Sequence, residues 1–121
     1  MKRRLSEKEE AIMHITWTQG HVFAREVREA LPDPKPHIST VSTVMRRLAE
    51  KGFLAIEDFG STHRYSATIS MKDYTTRFVQ PLLAGLFGNS IKNAITYFAE
   101  QEQVSVEDLR EIMEMIEKRK K

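Results

Sequence analysis

The chain has 121 residues, 40% hydrophobic and 30% charged, with a formal net charge of +2, enough for one compact domain or two small units sharing a core. It contains no cysteine, which excludes disulfides, thiolate metal sites and a thiol nucleophile. It also lacks a run of about 18 apolar residues and an apolar signal-peptide core, so no membrane insertion is expected and the expected address is the cytoplasm.

Ser6 followed three residues later by Glu9 is a capping-box arrangement, which predicts a helix over "SEKEEAIMHITW" with Ile12 and Ile15 on its inward stripe. Gly20 ends that unit, and "HVF" is short and β-prone. "AREVREAL" predicts a second helix, stopped by the three prolines of "PDPKP". A third helix follows with Ser39 as its expected cap. Val41, Val44, Met45 and Leu48 fall on one apolar stripe of it.

The opposite side of this third helix then carries Ser39, Ser42, Thr43, Arg46 and Glu50, with Thr40 and Arg47 on its flank. Hydroxyl and β-branched residues lower helix propensity by a few tenths of a kcal/mol each. Short side chains let another surface approach closely, and Arg can fork onto guanine or grip phosphate. Glu50 shares this face and would repel phosphate unless it accepts from a cytosine amino group or lies beyond the groove.

"GFLAIEDF" and "THRYSATI" predict a hairpin that bends at Gly60 and Ser61. Helix, helix, helix, hairpin is the order of a winged helix-turn-helix, whose third helix enters the major groove of DNA. The expected DNA-binding residues are Thr40, Ser42, Thr43 and Arg46 at base edges or nearby phosphates, and Ser39, Arg47 and Lys51 at the backbone. His63 and Arg64 would let the wing touch phosphate, although Arg64 is equally placed to pair with Glu57 or Asp58 across the hairpin. Lys2, Arg3 and Arg4 form either an arm or merely a basic end.

From Ser70 onward three further helices are expected, the first interrupted by Pro81 and Gly85 and the last capped by Ser105. Apolar residues here are too numerous for one helical face, and a segment of about 50 residues seldom buries so many alone. A second copy of the chain is the expected cover. The candidate interface comprises Phe78, Leu82, Leu86, Phe87, Ile91, Ile95 and Phe98, joined by Leu109, Ile112, Met113 and Ile116 of the last helix. Charge divides the same way: residues 1–72 carry 12 Lys and Arg against 9 Asp and Glu, residues 73–121 carry 7 against 8.

The expected fold is therefore mainly α with a small β-hairpin: a winged helix-turn-helix over residues 1–69 and a three-helix dimerisation region over residues 70–121. The histidines at 14, 21, 37 and 63 have no metal-ligand spacing, so neither a metal nor another cofactor is expected. No catalytic motif points to an enzyme. A winged helix serving as a protein-binding adaptor without DNA is the alternative.

"LSEKEEAIMHITW", "AREVREAL", "STVSTVMRRLAEKGFL", "HRYSATIS" and "LFGNSIKNAITYFAEQEQVSVEDLREI" together resemble the penicillinase and methicillin-resistance repressor family, which includes copper-responsive repressors. The resemblance implies a homodimeric transcriptional repressor with winged helices on a palindromic double-stranded operator and interlocked C-terminal helices. It also implies release through cleavage by a membrane sensor protease, or by a protease under its control, at an Asn-Phe bond. The matching bond here is Tyr97–Phe98, which keeps the Phe and lacks the Asn. The copper-responsive branch ends in a cysteine-rich motif, whereas this chain ends in "IEKRKK", so copper sensing is not implied.

Overall fold

The computed structural model describes residues 4–119. In chain order the elements are α1 (Glu7–Gln19), β1 (His21–Phe23), α2 (Ala24–Ala30), α3 (Ile38–Glu50), β2 (Leu54–Phe59), β3 (Thr62–Ala67) and α4 (Met71–Tyr74). A π-helical turn (Thr75–Val79), α5 (Gln80–Leu86), α6 (Ile91–Glu100) and α7 (Val106–Arg119) complete the chain. Two compact units divide between Phe78 and Val79.

In the front unit, the capping box at α1 is present. The Ser6 hydroxyl accepts from the Glu9 N–H (3.3 Å) and the Glu9 carboxylate accepts from the Ser6 N–H (3.0 Å). The three strands form an antiparallel sheet in the order β1-β3-β2, with Tyr65 opposite both Val22 and Ile56. Gly60 holds φ 62° at the hairpin bend, a left-handed conformation that favours glycine. The core gathers Ile12 and Met13 of α1, Val27 of α2, Val41, Met45 and Leu48 of α3, and Val22, Phe53, Leu54 and Tyr65. Burying one face of α3 in this way leaves its other face outside.

Two tertiary ties could not be read from local pattern. Lys51, just past α3, donates to Glu9 on α1 at 2.6 Å. Burial pushes the Glu9 carboxyl up, but the hydrogen bonds from Lys51 and from the Ser6 backbone and hydroxyl outweigh it and hold the group below the ordinary 4.5. A carboxyl held low in the folded state contributes stability above its unfolded value and loses it as pH falls through the folded one. Lys51→Ala is therefore expected to lose about 0.5–1 kcal/mol near neutral pH, because the lysine side chain is nearly half exposed. Urea unfolding at successively lower pH should show that loss shrinking to nothing once Glu9 protonates.

Tyr74 makes the second tie. Its hydroxyl accepts from the Leu5 N–H (2.9 Å) and donates to Glu10 (2.8 Å), while its ring packs against Trp17, Phe53 and Phe78. Burial pushes the phenol up to about 12, opposed by the Leu5 bond and aided by the bond to Glu10. Residues 70–78, grouped with the rear region on composition, thus pack within the front unit. Phe78, expected at the interface between copies, is half-buried and stacks on Tyr74 (5.0 Å between ring centroids) and Phe53 (6.1 Å) of its own chain.

In the rear unit, Ser90 caps α6 by accepting from the Asn93 N–H, and Pro81 is the second residue of α5, directly after the π-helical turn. Phe87, Tyr97 and Phe98 form an aromatic cluster with centroids 5.4 to 6.2 Å apart. Among the described residues from Val79 on, Ala94 alone is buried. Leu82, Leu86, Ile91, Ile95, Ile112, Met113 and Ile116 are all exposed, Leu86 to 71%. Phe87, Phe98 and Leu109 are half-buried.

Candidate nucleic-acid interface

The turn ahead of α3 is held by cations that satisfy backbone carbonyls. Arg28 Nε donates to the Pro36 carbonyl (2.7 Å), and Lys35 Nζ donates to the carbonyls of Glu29 and Leu31 at the end of α2 (2.7 Å each). The cap of α3 is His37 rather than the expected Ser39, so the helix begins at Ile38. His37 Nδ1 accepts from the Ser39 N–H (3.1 Å) and lies 2.8 Å from the Ser39 hydroxyl. An accepting Nδ1 puts the ring proton on Nε2 and makes the Ser39 hydroxyl a donor to the ring.

Hydrogen bonding sorts the hydroxyls of the outer face into two kinds. The Ser39 proton goes to His37, and Thr43 Oγ1 donates back to the Ser39 carbonyl at 2.8 Å. Among the described residues, Thr40 and Ser42 have no side-chain hydrogen-bond partner, so their hydroxyls remain able to donate outward. Thr40 lies on the flank facing the proline turn, in a cleft with Leu31, Pro36 and Val44. Ser42 lies on the other flank, in an open groove of about 680 Å³ that also meets Ile38, Arg46, Arg25 and the hairpin residues Thr62 and His63.

The cations sort in the same way. Arg46 and Arg47 are exposed and, among the described residues, no carboxylate pairs with either. Lys51, expected at the DNA backbone, is exposed and donates to Glu9 on α1. On the hairpin, His63 pairs with Asp58 (2.7 Å) and Arg64 pairs with Glu57 while lying over the Phe59 ring. Both basic side chains expected at the wing thus have an acid partner from β2, an ion pair for Arg64 and a hydrogen bond for His63, and the wing offers no unpaired lysine or arginine among the described residues. Glu50 stays exposed at the end of α3 and also lacks a cation partner there. Arg4 pairs with Glu10 (3.4 Å), whereas Lys2 and Arg3 of the expected arm lie outside the described residues.

Arg25 was not among the residues expected at this surface. It sits exposed in the first turn of α2 without a carboxylate partner among the described residues, and it lines the groove beside Arg46. The legible signal was electrostatic: a cation in a first turn opposes the helix dipole, so helix stability does not explain it. Beneath the groove, burial pushes the Tyr65 phenol up, and nearby Arg46 partly opposes that rise.

Comparison with known proteins adds the decisive observation, since the family model described as "Penicillinase repressor" matches residues 5–118. The chain belongs to the penicillinase repressor family. It is 25% identical over 122 residues to the penicillinase repressor of Bacillus licheniformis, covering 97% of this chain and 92% of that one. It is 26% identical over 119 residues to that of Staphylococcus aureus, covering 95% and 94%. The solution structure of the DNA-binding domain of the repressor BlaI superposes with a TM-score of 0.53 at 25% identity, covering 61% of this chain and 92% of that one. This penicillinase repressor family member is a repressor, not an enzyme, and its fold is mainly helical with a small antiparallel sheet of winged-helix type.

Proposed function

We propose that the chain represses transcription as a homodimer that sets two copies of α3 into the major groove of a palindromic operator. The observation that carries this reading is the outer face of α3: short side chains and two unpaired arginines on a helix whose other face is fixed in the core. Arg46 and Ser42 are suited to base edges, and Arg47 and Arg25 to phosphates on either side. Repression then follows from occupying promoter DNA.

The rear unit supports the dimer. No residue of α7 is buried, and the apolar side chains of α5, α6 and α7 form faces that a 43-residue unit cannot cover by itself. A two-fold pairing through these faces would place two readers at half-sites about one helical turn or a small multiple apart. Release by proteolysis at Tyr97–Phe98 belongs to the same reading. That bond lies inside α6, so a protease needs the last turn of the helix to open first.

Binding to random duplex as a function of salt tests the proposal against the protein-adaptor alternative. On random duplex, where Arg46 has no specific base to hold and falls back on a phosphate, six phosphates neutralised per dimer, by Arg25, Arg46 and Arg47 of each copy, give a slope of log affinity against log salt of about −5. Affinity should then fall about a thousandfold between roughly 50 and 200 mM salt. Absence of duplex binding at the lower salt would remove the DNA reading and leave the adaptor.

A further inference from the structure

We infer that Thr43 reads operator DNA through its methyl group, and that each half-site therefore carries a thymine within one or two base pairs of the guanine held by Arg46. The inference rests on the operator reading above and deepens it. Thr43 is exposed on the outer face of α3, but its hydroxyl is turned back to the Ser39 carbonyl at 2.8 Å. That bond uses the only proton the side chain can donate and fixes one of the two rotamers a helical threonine adopts. What Thr43 then offers a partner is a methyl group and an oxygen that can accept a hydrogen bond but not donate one.

In the major groove the complementary surface for a methyl is the thymine C5-methyl, the one apolar feature in an otherwise polar row of base edges. Neighbouring residues sharpen the assignment. Ser39 gives its proton to His37, so it does not compete as a donor beside Thr43. Arg46 carries the outward cation three residues on, about 4.5 Å along the helix axis and about 60° around it. One base-pair step is about 3.4 Å, which sets the expected spacing between the thymine and the guanine. Ser42 keeps its proton and reads a polar edge on the flank nearer the wing.

The test uses the full chain and the duplex most enriched from a randomised pool, with each thymine replaced singly by deoxyuridine, which lacks only the C5-methyl. One thymine per half-site should lose about fourfold in affinity on replacement, the effect of one buried methyl group. Thr43→Val keeps the methyl and loses the hydroxyl, and should still distinguish thymine from uracil. Thr43→Ser keeps the hydroxyl and loses the methyl, and should bind both duplexes equally. The inference is overturned if Thr43→Ser still discriminates while Thr43→Val does not, or if no thymine near the Arg46-dependent guanine is sensitive. If an enriched duplex is bound and Arg46→Ala relaxes a guanine, either result removes only the methyl contact. If no duplex is enriched, the operator reading fails with it.

Discussion

Leu86→Glu is expected to yield monomers and to lower operator affinity by about 10² to 10⁴, the gain normally conferred by joining two binding modules. Leu86 is the cleanest position for this change because it is 71% exposed within its own chain. A charge there costs the unit little, yet in a dimer it would be buried without a partner. Phe98→Asp should also separate the copies, but Phe98 stacks on Phe87 and Tyr97, so its effect mixes assembly with folding. Sedimentation of Leu86→Glu alongside its circular dichroism separates the two. A folded Leu86→Glu that sediments as a dimer would place the interface elsewhere.

Arg46→Ala is expected to lose about 1–3 kcal/mol per half-site and to relax preference at one base position. Arg47→Ala and Arg25→Ala should instead weaken binding to all sequences alike and flatten the salt dependence by about one unit of slope for each phosphate that is no longer neutralised. The contrast follows from position: Arg46 lines the groove between α3 and the hairpin beside Ser42, whereas Arg47 lies on the opposite flank of α3 and Arg25 stands on α2 across the groove. Titration of a panel of singly substituted operators separates the two behaviours. Equal losses on every operator for Arg46→Ala would make it a phosphate contact.

Local chemistry explains which parts of this account were legible in the sequence. The Ser6–Glu9 capping box, the Val41, Met45, Leu48 stripe and the hairpin around Gly60 are each encoded within about ten residues, and the structure has all three. The outer face of α3 was legible for the same reason, as the complement of its buried stripe. The tie of Lys51 was not legible because its partner, Glu9, is 42 residues away. The packing of Tyr74 and Phe78 was not legible because composition changes at Ser70 while the packing continues through Phe78 onto Phe53. His37 rather than Ser39 caps α3 because its imidazole nitrogen accepts the N–H two residues on, that of Ser39, as a cap hydroxyl at position 37 would. The pairing of the wing's basic side chains was half visible: the register sets Glu57 against Arg64 and Asp58 against His63, a match that only the pairing of β2 with β3 decides.

Selection from a randomised duplex pool with the full chain tests the central claim most directly. The account predicts enrichment of an inverted repeat whose half-sites lie about one helical turn or a small multiple apart, each with a guanine that ceases to be selected when Arg46 is alanine. A pool that stays unenriched at low salt, or a motif that Arg46→Ala leaves unchanged, would contradict it.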